Sequence, residues 1–242
     1  MSFVTRWREL RGTRFGACAS LIVVIIVALG TDAALAASLT IPAAVRGTIR
    51  ENGLHDGGNL SYTAGDVESS VNRDYFLFDL SSLRLAPGDS IGSATLSVPT
   101  WAVVTPGPSE TVVFFELDTP RAILESDTAA FSPAGMALFE DAGTGPAYGS
   151  QQYTAADTGT TRLISLNAAA LAAINAAVGR GDFSLGGSVT TLDIINNFEF
   201  VYGASEQPTP APTLILTLTT VPEPGSLVVI ASSAALLLRR RR

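Results

Sequence analysis

His55 is the only histidine of this 242-residue chain, and a serine hydrolase would need it as its general base. Asp56 or Asp66 could orient the imidazole ring, but any of many serines could be the nucleophile and their spacing selects none. His55 also stands in a glycine-rich run, His55-Asp56-Gly57-Gly58, of the kind that forms turns. We therefore interpret His55 as a turn residue and predict no catalytic triad.

Carboxylate pairs are the second candidate for chemistry, because a glycosidase needs only two acids. Three pairs stand close together in sequence: Glu116 with Asp118, Glu125 with Asp127, and Glu140 with Asp141. Acids two residues apart on a strand share a face at roughly 6.5–7 Å, which is compatible with glycosidase geometry. Such pairs are also common by chance in an acidic chain. We predict a protein with no catalytic residue, and a carbohydrate-active enzyme is the alternative.

Metal ligands are few in this sequence. One histidine, with Cys18 as the only cysteine, cannot assemble a zinc site. Calcium could use Asn52, Asp56, Asn59 and Asp66, but their spacing matches no EF-hand. Asparagine and aspartate also form turns, which is the favoured interpretation. We predict no metal and no cofactor.

Exposed aromatic side chains would indicate carbohydrate binding, since they stack on the apolar faces of sugar rings. Trp101, Tyr148 and Tyr153 are the candidate glycan contacts, and the two tyrosines stand outside the predicted strands. The segment 142–156, which contains both tyrosines, is predicted to be a surface loop that carries the binding function. Trp101 lies within a predicted strand and could equally be buried.

Most of the chain shows a β pattern: short alternating or apolar runs separated by glycine, proline, asparagine and aspartate. Strands are predicted at 45–50, 74–80, 93–104, 111–117, 161–166, 183–189, 197–202 and 213–219. Eight or more short strands predict an all-β, jelly-roll-type sandwich of two sheets.

One segment predicts a helix instead. Residues 167–179 are rich in alanine, and Leu171, Ile174 and Val178 recur at spacings of three and four. Asn167 is placed to cap the N-terminus and Gly179 to end the helix in a left-handed conformation. A single short helix should therefore be inserted between the strands, covering an open end or edge of the sandwich.

The first 36 residues have the layout of a secretory signal peptide. Four arginines precede an apolar run at 15–30, which should form the signal helix, and Ala34-Leu35-Ala36 fits a cleavage site before Ala37. We predict export by the Sec machinery and cleavage between Ala36 and Ala37. The ectodomain would then cover residues 37–220.

The predicted ectodomain is acidic and contains no cysteine. It has seven arginines, no lysine and 19 acids, a net charge of about −12. This balance excludes the usual basic surface of a nucleic-acid-binding protein. Because disulfides are also excluded, the domain must be stabilised by its core.

The last 22 residues form a third segment, 221–242. Its parts are the motif Val221-Pro222-Glu223-Pro224, an apolar run at 225–238, and a basic block, Arg239, Arg240, Arg241 and Arg242. A helix of 14 residues is roughly 21 Å long, which makes a short transmembrane anchor. This order resembles the PEP-CTERM sorting signal of exopolysaccharide-producing bacteria. The resemblance implies that a membrane-embedded exosortase reads the motif and removes the tail.

A second resemblance lies in the ectodomain. The stretch 73–83, an aromatic strand ending in Phe78-Asp79-Leu80-Ser81, is followed by the strand-like segment 91–98. This pattern resembles DNRLRE-type β-sandwich modules, which are related to carbohydrate-binding modules. Alternation places Phe76, Phe78 and Leu80 on one wholly apolar face, which should be core.

Together these features predict a secreted or surface-associated structural protein without enzymatic activity. The resemblances imply a place in the extracellular polysaccharide or biofilm matrix, at the cell envelope, the cell surface or outside the cell. The partners they imply are the exosortase, the Sec machinery, extracellular polysaccharide and, before processing, the membrane. A saccharide-binding module or carbohydrate-active enzyme with the same sorting signal is the alternative.

Overall fold

A computed structural model describes residues 37–193, 198–203 and 210–219, which form a two-sheet β-sandwich. The strands are β1 (Ser38–Pro42), β2 (Val45–Arg50), β3 (Tyr62–Val67), β4 (Ser70–Asp79), β5 (Ser90–Pro99), β6 (Ala102–Val104), β7 (Glu110–Glu116), β8 (Ala147–Tyr153), β9 (Thr161–Ser165), β10 (Asp182–Val189), β11 (Phe198–Gly203) and β12 (Thr213–Thr219). The helices are α1 (Arg121–Leu124), α2 (Pro133–Asp141) and α3 (Ala168–Ala177), with a 3₁₀ turn at Ala155–Asp157. The predicted all-β sandwich is confirmed.

The two sheets differ in size, and every strand pair in them is antiparallel. The smaller sheet has the order β1-β12-β5-β9, and the larger has the order β6-β11-β3-β4-β10-β7-β8, with β2 also paired to β4. Asn72 of β4 is the register partner of both Arg50 in β2 and Gly65 in β3. Because one residue can pair on two edges only, β2 and β3 flank β4 on opposite sides.

All eight predicted strands occur, with changes at their ends. The predicted strand 93–104 is two strands, β5 and β6, which belong to different sheets and are separated at Thr100 and Trp101. Strands β1, β3 and β8 were not predicted. Their sequences contain glycine, serine, glutamine or proline in place of a clear apolar alternation.

The main core lies between the two sheets. Phe76, Phe78 and Leu80 are fully buried there, which confirms their predicted placement. Leu96, Leu214 and Ile164 of the smaller sheet belong to the same core. These side chains hold the two sheets together through apolar burial, the dominant stabilising contribution in a domain without disulfides.

Helix α3 confirms the helix predicted from the alanine-rich segment. The Asn167 side chain accepts a hydrogen bond from the Ala170 amide, and Gly179 has φ +70°. Ala170 and Ile174 are buried in the main core. The helix contacts β5 of the smaller sheet and both β8 and β10 of the larger sheet.

The other face of the larger sheet is covered too, by two helices that the sequence analysis did not predict. Tyr75 and Leu77 of β4 form a second apolar cluster with Leu124 of α1 and Leu138 of α2. Helix α2 starts at Pro133, and the Ser132 side chain accepts a hydrogen bond from the Gly135 amide. Serine followed by proline is a recognisable helix start. The sandwich therefore has an outer layer on one side.

Several predictions concern segments outside the described residues. They are the signal peptide at 1–36 with its Ala36/Ala37 cleavage, and the sorting segment at 221–242. Within the ranges that the structure describes, no helix is long and apolar enough to cross a membrane.

Candidate functional site

The described residues form a polar cleft of about 620 Å³. Four strands of the larger sheet and the turn region before β3 line it: Thr48, Arg50, Leu54, Asp56, Asn59, Ser61, Thr63, Val67, Glu68, Ser70, Asn72 and Tyr202. Ten of these twelve side chains are polar or charged. We refer to this hollow as the polar cleft.

The turn region of the cleft is fixed by local hydrogen bonds. The side chains of Asn52, Asp56 and Asn59 each accept a hydrogen bond from the amide two residues ahead, at 3.0, 2.9 and 3.0 Å. These are Asx turns, which confirm the interpretation of these three residues as turn-forming. The Thr48 hydroxyl donates to the Ser61 carbonyl at 3.2 Å and joins this region to β2.

Aromatic side chains continue from one wall of the cleft along β11. Burial alternates on this strand: Glu199, Val201 and Gly203 face inward, so Phe198, Phe200 and Tyr202 share the other face. Phe198 is 50% exposed, and Tyr202 lines the cleft. We call Phe198, Phe200 and Tyr202 the aromatic strip.

Phe200, the middle ring of the strip, has no side chain beside it on the neighbouring strand, because its register partner there is a glycine. Gly65 of β3 is the register partner of Phe200, and its φ is +123°. A Cβ added there would lie 2.1 Å from the Glu199 carbonyl oxygen, so only glycine permits this close approach of β3 and β11.

Trp101 lies next to the strip. Its backbone amide donates to the Tyr202 carbonyl at 2.8 Å, and its side chain is 56% exposed. Ala102, the register partner of Tyr202, shares its face, so alternation does not place the Trp101 ring on that face. The aromatic strip and the polar cleft form one continuous region through Tyr202. Its side chains could pack against the apolar face of a sugar ring while hydroxyl and amide groups bond its hydroxyls.

Tyr148 and Tyr153 are not part of this region, and the prediction that they are exposed on a surface loop is wrong. Both belong to strand β8 and point into the main core, at 2% and 1% exposure. The Tyr148 hydroxyl donates to Glu116 at 2.6 Å, and burial raises the pKa of both tyrosines. Neither ring can stack on a sugar.

His55 is also buried, and it is hydrogen-bonded within the fold. It is 2% exposed, and its Nε2 lies 2.6 Å from the Tyr75 hydroxyl, which in turn donates to the Leu124 carbonyl at 3.1 Å. Because the hydroxyl proton goes to Leu124, His55 is the donor in the first bond. Burial lowers the pKa of His55. The residue links β4 to α1 and contacts no solvent-filled cleft.

The carboxylate pairs considered for acid–base chemistry are held by structural hydrogen bonds. Asp141 Oδ2 accepts from the amides of Asp118 and Thr119 at 3.1 and 2.8 Å. Glu125 pairs with Arg121 at 2.7 Å, and Asp127 accepts from the Gly57 amide at 3.0 Å. None of the six acids in these pairs lines the polar cleft.

The sequence contains one Gly-x-Ser-x-Gly match, Gly88-Asp89-Ser90-Ile91-Gly92. A nucleophile elbow needs a sharp turn from a strand into a helix. Ser90 instead begins β5, and the chain continues as a strand to Pro99. The match is therefore not an elbow.

Comparison with known proteins identifies no relative. No protein-family model and no curated protein matches this sequence at a significant level. Among solved structures, a chain from the cryo-EM structure of Mud crab tombus-like virus is similar at 10% identity. That match covers 95% of this chain and 99% of the viral chain, with a TM-score of 0.25. A likeness at this TM-score supports no conclusion about function.

Proposed function

We propose that this chain is an exported, non-catalytic protein of the extracellular polysaccharide matrix, and that the polar cleft and aromatic strip bind polysaccharide. The observation that carries the proposal is the position of Tyr202. It is the last ring of the aromatic strip and also lines a cleft of about 620 Å³. Tyr202 therefore joins the aromatic side chains of the strip to the polar groups of the cleft that can bond sugar hydroxyls.

Polysaccharide is favoured over a small apolar ligand by the composition of the cleft. Only Leu54 and Val67 among its lining residues are apolar, whereas pockets for drug-sized apolar molecules are lined mainly by hydrophobic side chains. The strip also continues from the cleft to Phe198, which is half exposed. An extended chain can lie along such a surface.

Export and sorting complete the proposal. The arginine-flanked apolar segment at 1–36 would direct Sec export, and an exosortase would process the tail that carries Val221-Pro222-Glu223-Pro224. The acidic, cysteine-free ectodomain supports this destination, because its stability does not depend on a redox compartment.

The absence of catalysis is part of the proposal. The three carboxylate pairs that could have served acid–base chemistry lie outside the cleft, and four of their six acids accept structural hydrogen bonds or ion pairs. Asp56 and Glu68, the two acids that line the cleft, come from a turn and from the exposed β3–β4 connection. The proposal assigns these two acids no catalytic role.

The test uses the exported form purified from producing cells. It is incubated with a panel of polysaccharides, and binding isotherms are measured together with chromatographic analysis of the sugar products. We expect saturable binding to at least one polymer and unchanged polymer length. Release of oligosaccharides or unsaturated sugars would contradict the non-catalytic assignment, and absence of binding across the panel would contradict the polysaccharide assignment.

A further inference from the structure

We infer that the polysaccharide held by the polar cleft is uncharged, an inference that rests on the proposed function and specifies its ligand. Acidic polysaccharides carry a carboxylate or sulfate on many of their sugar units. A protein that binds them presents several cationic side chains, as proteins do for other polyanions. The position of each arginine in the described residues therefore decides between the two ligand classes.

The arginines of the ectodomain are mostly engaged elsewhere. Arg46, Arg73 and Arg84 donate to backbone carbonyls, of Leu60, Phe139 and Ser81 respectively. Arg121 pairs with Asp79, Glu125 and Asp182, and Arg162 pairs with Asp157. These five guanidinium groups are fixed by the fold and do not line the cleft.

Arg50 is the one cation that lines the cleft, beside two acids, Asp56 and Glu68. The lining residues thus carry a net charge of −1. The described residues as a whole contain seven arginines against 18 acids, and the chain has no lysine. An anionic polymer approaching this surface would be repelled over the whole ectodomain and would meet a single cation in the cleft.

The remaining polar groups of the cleft match an uncharged sugar. Five are hydroxyls, from Thr48, Ser61, Thr63, Ser70 and Tyr202, and two are the amides of Asn59 and Asn72. The Thr48 hydroxyl donates to the Ser61 carbonyl, the Asn59 Oδ1 accepts from the Ser61 amide, and the Asn72 Nδ2 donates to the Ser70 carbonyl, so these three groups keep only part of their hydrogen-bonding capacity for a ligand. Hydroxyls and amides both donate and accept hydrogen bonds, as sugar hydroxyls do, whereas a carboxylate or sulfate only accepts. The aromatic strip adds rings suited to the apolar faces of sugars. An anionic substituent would leave these apolar faces unchanged.

Affinity gel electrophoresis of the exported form tests this inference. Gels contain an uncharged polymer (dextran, hydroxyethyl cellulose, galactomannan or xylan) or an acidic one (alginate, polygalacturonate or hyaluronate), each at low and at high salt. We expect at least one uncharged polymer to retard the protein equally at both salt concentrations. Acidic polymers should give no retardation.

Two variants sharpen the result. Arg50→Gln removes the cation of the cleft, and Arg180→Gln removes an exposed arginine outside it. Arg180→Gln should leave the retardation by uncharged polymers as in wild type, and the retardation that Arg50→Gln shows should not depend on salt. The inference is overturned if only acidic polymers retard the protein, or if acidic and uncharged polymers retard it equally; polysaccharide binding itself would then stand. In that case, loss of the retardation by acidic polymers in Arg50→Gln would locate the binding in the cleft. Retardation by no polymer overturns the inference and the proposed function together.

Discussion

Asp74 is a buried acid of the larger sheet. It lies on β4 among core side chains, and its Oδ1 has no hydrogen-bond partner in the described part of the chain. Gly187 on the neighbouring β10 makes room for it, since a Cβ there would lie 2.0 Å from that oxygen. Burial disfavours the ionised carboxylate and raises the pKa of Asp74 from 3.8 to about 7.

The raised pKa of Asp74 predicts a pH-dependent stability. Between pH 4 and 7 Asp74 is protonated in the folded chain and ionised in the unfolded chain, so unfolding releases a proton and the free energy of unfolding falls as pH rises. The total loss is on the order of 3 kcal/mol. Asp74→Asn should remove most of this loss. Urea unfolding of wild type and variant at pH 4.5 and pH 8 measures it.

A control at an exposed acid separates this effect from general charge effects. Asp118→Asn makes the same substitution at an exposed position. It should leave the pH dependence of the urea midpoint as in wild type. If Asp74→Asn also keeps the wild-type pH dependence, Asp74 is not protonated in the folded chain at neutral pH.

Single residues also show what the sequence could and could not reveal about the site. Trp101 was a candidate contact and is 56% exposed, although its sequence left burial open. The glycines and glutamines around Tyr148 and Tyr153 are typical of a loop, but this segment contains strand β8. Whether an aromatic residue is exposed depends on which face of which strand carries it. Without strand β8, that face could not be assigned.

At the scale of elements, the pairing of β3 with β11 shapes the cleft. We expect Gly65→Ala to destabilise the protein by roughly 2–4 kcal/mol, because the new methyl group would meet the Glu199 carbonyl and the backbone has φ +123°. Gly181→Ala is the control, since a Cβ at Gly181 meets no atom within 4 Å. Thermal unfolding of both variants tests the difference. Equal melting temperatures would contradict the close approach of the two strands.

A second element-scale prediction concerns the outer layer of helices. Tyr75→Phe removes the hydroxyl that joins His55 to the Leu124 carbonyl and leaves both buried groups without this partner. We expect a loss of about 1–3 kcal/mol in the free energy of unfolding. Tyr202→Phe, which removes a hydroxyl at a half-buried position, should cost much less. A negligible loss in Tyr75→Phe would show that this hydroxyl does not help to hold α1 against β4.

The elements were predictable to different degrees for physical reasons. Apolar periodicity identified α3 and the strands whose one face is wholly core, such as β4. Strand β3 reads Tyr62-Thr63-Ala64-Gly65-Asp66-Val67, and its burial depends on neighbours distant in sequence. The aromatic strip was missed although β11 was predicted, because its outward rings alternate with a buried acid, Glu199, and resemble a core face.

At the scale of the whole molecule, the proposed sorting of the chain depends on the tail. Replacing Pro222, Glu223 and Pro224 by alanine should abolish exosortase processing and retain the full-length protein in the membrane fraction. Intact mass of the protein from each cell fraction measures this. Replacing Pro210 and Pro212, which lie before the tail, by alanine is the control and should leave processing unchanged. Release of the triple variant with wild-type mass would contradict sorting through this motif.

The central claim is that a sandwich of two sheets holds polysaccharide where the aromatic strip meets the polar cleft. Its most direct test compares wild type and Tyr202→Ala of the exported form in binding isotherms against a retained uncharged polysaccharide. Leu163→Ala, at a 63% exposed position on the smaller sheet, serves as the control. We predict an affinity about tenfold lower for Tyr202→Ala, with an unchanged affinity for Leu163→Ala. Equal affinities of a folded Tyr202→Ala variant and wild type would contradict the claim.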